Sequence, residues 1–122
     1  MKIEVSNGEL VDKLIIVQIK LERIKDEEKL VNLRKEFEIL KEAATGIIAS
    51  HHPLYTELYR VNSELWDIEN RIREKESKGN FDQEFIDIAR SVYLKNDERF
   101  ELKRKINIQT SSHLTEEKSY QK

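Results

Sequence analysis

The sequence predicts an all-α protein, a mostly antiparallel bundle of four long helices with the first helix at its centre and a kink in the fourth near Asn96-Asp97. Three observations carry this expectation. Apolar residues recur at alternating intervals of three and four over four stretches of the chain, the spacing that aligns side chains along one side of an α-helix. The chain has few places to turn, with 3 glycines and 1 proline in 122 residues. Charged residues make up 38%, as do hydrophobic ones, a balance that suits long helices with solvated outer faces. This length is one domain's worth, residues 1–122, with 1–6 as an N-terminal arm and 110–122 as a C-terminal tail.

Composition removes several classes of function. A net charge of −2, from 22 Lys+Arg against 24 Asp+Glu, gives no electrostatic ground for nonspecific nucleic-acid binding. The absence of cysteine excludes disulfides, thiolate metal sites and a cysteine nucleophile, and agrees with a cytoplasmic setting. The opening MKIEVSNGEL has no basic region followed by an apolar core, so no signal peptide is expected. No run approaches the ~18 apolar residues of a membrane span, and no membrane association is expected.

Met1 to Val5 alternates polar and apolar residues and reads as a short extended arm rather than a ragged lead-in. Ser6 and Glu9 then have the spacing of a capping box, so the first helix begins near Asn7. Its main stripe is Leu10, Leu14, Val17, Leu21 and Ile24; Val11, Ile15 and Ile19 form a second, roughly 100° or more around, and Ile16 lies beyond. That is more apolar surface than one neighbour can cover, so this helix is expected between at least two others. Asp12, Lys13, Lys20 and Arg23 are interleaved with it.

Continued in phase, the stripe would fall on Glu28, Val31, Lys35 and Glu38, mostly charged; instead it restarts as Leu30, Leu33, Phe37, Leu40, Ala44 and Ile47. This places a turn near Lys25 to Glu27 and a second helix over Glu27 to Ala49, with Asp26 as N-cap and Glu27 and Glu28 at the positive end of its dipole. One long bent helix is the alternative, because no Gly or Pro marks the turn. Gly46 weakens the segment, and Ser50-His51-His52-Pro53 ends it, since the residue before proline is pushed out of the α region.

The third helix starts at about Leu54 with the stripe Leu54, Leu58, Val61, Leu65, Ile68 and Ile72. A second seam runs beside it: Tyr55, Tyr59, Asn62, Trp66, Glu69 and Arg73. Gly79-Asn80 is the stop. The fourth helix opens with Asn80 or Asp82 as cap and continues through Phe81, Phe85, Ile88, Ala89 and Val92. At Lys95-Asn96-Asp97 the pattern slips, because Leu94, Phe100, Leu102, Ile106 and Ile108 do not share the earlier phase. A kink or short break is expected there, with Asn96 or Asp97 capping a final helix to about Ile108. The closing TSSHLTEEKSYQK reads as a polar tail.

No Gly-rich phosphate loop, nucleophile elbow or metalloprotease motif occurs, and no catalytic residue is assigned. His51 and His52 are adjacent and His113 lies in the tail; no two share a helix face, so neither metal nor cofactor is expected. Lys103-Arg104-Lys105 can contact phosphate, but Glu98 and Glu101 flank it and a solvated face is the stronger reading.

The polar residues laid on apolar seams are more informative. Lys13 and Lys20 are seven apart and share one side of the first helix, and Glu69 and Arg73 stand at i, i+4. The structural reading, which spacing alone favours, is that the lysines snorkel from the core's rim and Glu69–Arg73 is a surface ion pair contributing under ~1 kcal/mol. The functional reading is a site for an anionic small molecule, with Lys13, Lys20, Arg73 and Arg99 supplying positive charge and Asp12, Glu69 and Asp97 orienting the ligand. The aromatic seam of Tyr55, Tyr59 and Trp66 can seal the core or meet a partner helix.

Three separated blocks, GELVDKL with the following IKLERIKDEEKL, then YLKNDERFELKRKIN, then EEKSY, occur in this order between Ile3 and Tyr120. Together they resemble a family of small bacterial and phage proteins of unknown function. The chain departs from that family at Ile15-Ile16-Val17, where the family commonly has Thr-Ile-Leu, so a hydroxyl at position 15 is missing. The resemblance implies no established activity and no known cofactor, with some members encoded near or fused to sugar-transferring enzymes. Its motif positions are Glu9, Asp12, Lys13, Lys20, Asn96, Asp97, Glu98, Arg99, Lys103, Asn107, Glu117, Lys118, Ser119 and Tyr120. They add weight to the polar cluster, imply that the tail docks on the bundle, and add Tyr120 to the candidate interaction surface. The expected function is a non-enzymatic cytoplasmic accessory or protein-interaction module, with a second copy of the chain as one candidate partner. The alternative is a protein or enzyme that binds a sugar phosphate or nucleotide sugar, linked to glycan synthesis.

Overall fold

The computed structural model describes residues 1–119. Four helices follow one another: α1 (Asn7–Arg23), α2 (Glu27–Ala44), α3 (Pro53–Ser77) and α4 (Gln83–Gln109). The fold is the expected all-α bundle.

α1 is the hub. It packs against each of the other three helices, whereas α2 lies on α1 alone among the described residues and α3 and α4 run along one another. The two apolar stripes explain this arrangement. Val11, Ile15 and Ile19 are buried with Leu58 of α3 and Ile106 of α4, while Leu10, Phe37 and Leu40 pack around that core from the α2 side. Resting on a single neighbour, α2 buries only Leu33 and Ala44.

Pairings along the helices fix their directions. Gly8 meets Asn107, Glu9 meets Lys103 and Asp12 meets Arg99, so α1 and α4 are antiparallel. Lys95 meets Glu64 and Lys75 meets Asp82, so α3 and α4 are antiparallel as well. α1 and α3 therefore share a direction, with Tyr55 and Tyr59 donating hydrogen bonds to Gln18 and Glu22 in step.

Local chemistry sets the ends. The Ser6 hydroxyl accepts from the Glu9 N–H at 3.1 Å, but the Glu9 carboxylate turns to Lys103 and Lys13, so only half of the expected capping box forms. Asp26 accepts from the backbone of Glu28 and Lys29, and residues 24–26 make the turn in place of one long bent helix. α2 ends at Ala44 rather than Ala49 because Gly46 takes φ +87°, a left-handed conformation that stops a helix. His52 caps α3, its Nδ1 accepting from the Leu54 N–H at 3.1 Å, with Pro53 in the first turn. At the other end Gly79 has φ +64°, the Asn80 N–H donates to the Lys75 carbonyl and the Gly79 N–H to that of Glu76, which is the Schellman arrangement. Asp82, not Asn80, caps α4.

α4 runs unbroken through Asn96 and Asp97, so the expected interruption and second cap are absent. The phase slip has another cause. The first half of α4 lies along α3 through Arg71–Glu84 and buries Ile88, whereas the second half keeps α3 through Gln109–His52 and adds α1 through Arg99, Lys103 and Asn107, burying Ile106. A helix that gains a second partner midway must move its apolar stripe around its axis. No helix among the described residues is long and apolar enough to cross a membrane.

Candidate functional site

A polar seam joins α1 to α4. It starts where the Gly8 N–H donates to Asn107 Oδ1 at 2.6 Å. One turn on, Lys103 is 8% exposed and holds Glu9 at 2.6 Å and Glu116 at 3.0 Å. Burial is the largest single influence on that ammonium and pushes its pKa down, but the two carboxylates together outweigh it and leave the pKa raised. A further turn on lies Asp12, fully buried at 0% exposure. Arg99 clamps it with Nε at 3.0 Å and Nη2 at 2.5 Å, and the Asn62 amide donates to the same carboxylate at 2.9 Å. Two parallel N–H bonds hold a guanidinium in one plane, and the bond to Asp12 is the main reason that the Arg99 pKa is raised.

Asp12 thus positions Arg99, which forms one wall of a cleft of about 450 Å³ between α1, α3 and α4. Ile16, Ile19, Leu65 and Trp66 supply its apolar surface, and Asn62, Asn70, Asn96, Glu69, Arg73 and Arg99 its polar groups. The volume falls within the range of small-molecule pockets, and a mainly apolar surface with a few convergent polar groups is their usual chemistry. Each asparagine offers both a donor and an acceptor. Among the described residues Glu69 and Arg73 have no ion-pair partner, so the expected Glu69–Arg73 pair is not formed and both charges are available to a ligand. No nucleophile with an adjacent base lines the cleft.

The structure sorts the candidate residues. Glu69, Arg73 and Arg99 come together on the cleft with Trp66, and Asp12 lies behind them. Lys13 does not join: it is exposed and pairs with Glu9 at 3.7 Å. Asp97 faces elsewhere and pairs with Lys118 at 3.1 Å. Lys20 is half-buried on α1 and does not line the cleft. The aromatic seam divides, with Tyr55 buried in the core, Tyr59 half-buried and bonded to Glu22, and Trp66 on the cleft. Tyr120 lies outside the described residues. Asn96, a motif position of the resemblance, is expected as a cap rather than on the cleft, and Asn70 carries no sequence signal of its own. The seam did leave one: Gly8 and Asp12 on α1, and Arg99, Lys103 and Asn107 on α4, each recur at intervals of four.

Residues 113–119 lie against this seam's outer side. Glu117 pairs with Arg104 at 2.8 Å, Lys118 sits 5.5 Å from the centre of the Phe100 ring, and His113 donates to the Glu4 carboxylate, which raises the His113 pKa.

A family model described as a family of unknown function, DUF6165, matches residues 1–122. The chain belongs to this family. No curated protein and no solved structure matches it. The family assigns no activity, so any chemistry must come from the residues of the seam and cleft.

Proposed function

We propose that the protein binds a small, hydroxyl-rich anion, of the sugar-phosphate or nucleotide-sugar class, in the cleft between α1, α3 and α4. The observation that carries this reading is the unpaired Arg73 beside a fixed Arg99 and the half-buried Trp66. An indole offers a flat apolar surface to a sugar or base ring, three carboxamides suit hydroxyls, and Arg73 suits a phosphate. The sequence holds 1 tryptophan, so its fluorescence reports this cleft directly. Titration with sugar phosphates and nucleotide sugars is expected to change Trp66 emission, and Arg73→Ala to weaken that binding by about tenfold or more, the weight of a charged hydrogen bond. No emission change with any member of the panel counts against the reading.

A second reading, a non-enzymatic cytoplasmic accessory module that binds a protein or a second copy of itself, is favoured by apolar residues left in water. Ile86, Tyr93 and Leu94 on α4 and Ile39 on α2, the last 69% exposed, are its support. Sedimentation at several concentrations tests the self-association; a monomer throughout rules it out.

A further inference from the structure

A second space, of about 420 Å³, lies between α4 and the returning chain and shares Asn96 and Arg99 with the first. Its floor is α4: Arg99, Phe100 and Lys103, with Arg104 alongside. Its roof is Glu116, Glu117, Lys118 and Ser119. No residue from 113 to 119 is buried, so among the described residues no apolar burial secures that roof. Its ties include the pairs Lys103–Glu116, Arg104–Glu117 and Lys118–Asp97 and the contact of Lys118 with Phe100. Arg104–Glu117 is an exposed pair of the kind that contributes little and is screened by salt, and in Lys103–Glu116 and Lys118–Asp97 the carboxylate is half exposed or more.

The floor is different in kind. Lys103 is more than nine-tenths buried, and a buried ammonium needs its charge met. Glu9 meets part of it at 2.6 Å and Asp12 is taken up by Arg99. Lifting the roof therefore leaves Lys103 with one carboxylate where it had two, and Arg104 without Glu117, with only Glu101 of its own helix contributing at longer range.

We propose that Lys103 and Arg104, with Arg99 beside them, form an anion-binding ledge for a soluble phosphate or diphosphate group. In this structure the carboxylates of Glu116 and Glu117 stand in for the phosphate oxygens. Residues 113–119 then act as a strap that an anion displaces. The ledge explains why a Lys-Arg pair flanked by acids on α4 keeps one of its cations inside the protein, and it does not depend on the Trp66 cleft taking a ligand.

The test is a pyrophosphate titration of the full chain, read by the amide NMR signals of residues 113–119 and, separately, by Trp66 fluorescence. Pyrophosphate is expected to shift the 113–119 signals in the native chain. It is expected to bind E116Q/E117Q about tenfold more tightly and Arg104→Gln about tenfold more weakly, steps of one charged contact each. Arg104 is partly exposed and its replacement leaves the buried Lys103–Glu9 pair in place, so that variant stays folded. Strap signals that do not move, or an affinity equal in all three chains, overturn the proposal. So does a response to phosphatidylglycerol vesicles with none to pyrophosphate. A Trp66 response without movement of the strap overturns the ledge while leaving the cleft reading intact.

Discussion

Asp12→Ala is expected to destabilise the fold by about 3 kcal/mol, measured by chemical denaturation at neutral pH. The carboxylate is 0% exposed and accepts three hydrogen bonds, two from Arg99 and one from Asn62. Its loss strands the buried Asn62 amide, which by itself costs about 1–3 kcal/mol. Arg99 is 29% exposed through its side chain and can turn toward water, so the full penalty of an uncompensated buried charge does not apply. Asp12→Asn keeps the volume but sets an amide N–H₂ against guanidinium N–H groups, and is expected to fall between the alanine variant and the native chain. The pair also has a positioning role that stability alone does not reveal. In Asp12→Leu/Arg99→Met the ion pair is replaced by apolar volume, a change that is often neutral or stabilising. This variant is expected to recover most of the stability and yet lose the Trp66 fluorescence response to ligand. An alanine variant within about 1 kcal/mol of native would mean that the clamp is dispensable.

The centrality of α1 was legible because it depends on a count of apolar faces, which a sequence displays directly. Asp26, Asp82 and Gly79 were legible as boundaries because a cap acts on its own backbone. The continuity of α4 was not, since a moved stripe can mean a break or a new neighbour, and only the contacts that its second half adds to α1 decide between them. The site divides along the same line. Trp66, Glu69 and Arg73 line one cleft because they belong to one seam of α3 with Asn62, although the sequence assigns Trp66 to a partner surface and the other two to a ligand. The sequence groups Lys13 with Asp12, and Asp97 with Arg99, as polar residues beside the apolar seams and at the phase slip. Consecutive residues on a helix point ~100° apart, and residues two apart ~200°, so a buried Asp12 sends Lys13 toward solvent. An Arg99 turned to Asp12 likewise sends Asp97 to the other side. Glu69 and Arg73 had the spacing for an ion pair, but such a pair is worth only about 0.2–0.5 kcal/mol, too little to impose the contact.

Gly8→Ala should reverse the usual sign of a helix substitution. Alanine inside a helix is normally favoured over glycine by about 1 kcal/mol. Here a Cβ at position 8 would stand 2.4 Å from the Lys103 carbonyl oxygen and 3.0 Å from Asn107 Oδ1. The first obstacle is backbone in the middle of the last turns of α4, which cannot rotate away as a side chain can. α1 and α4 must separate, and that stretches the 2.6 Å bond from the Gly8 N–H to Asn107 and the neighbouring Glu9–Lys103 pair. Overpacking of about 1–3 kcal/mol and a weakened buried hydrogen bond combine to an expected loss of about 3 kcal/mol, or roughly 10 °C in Tm for a domain of this size. A double-mutant cycle with Asn107→Ala separates the two contributions. If the clash with Lys103 dominates, Gly8→Ala remains destabilising in the Asn107→Ala background; if the hydrogen bond dominates, its effect there falls away. A Gly8→Ala chain as stable as the native one would show that the two backbones do not approach so closely, and the seam from Asn107 to Asp12 would lose its anchor point.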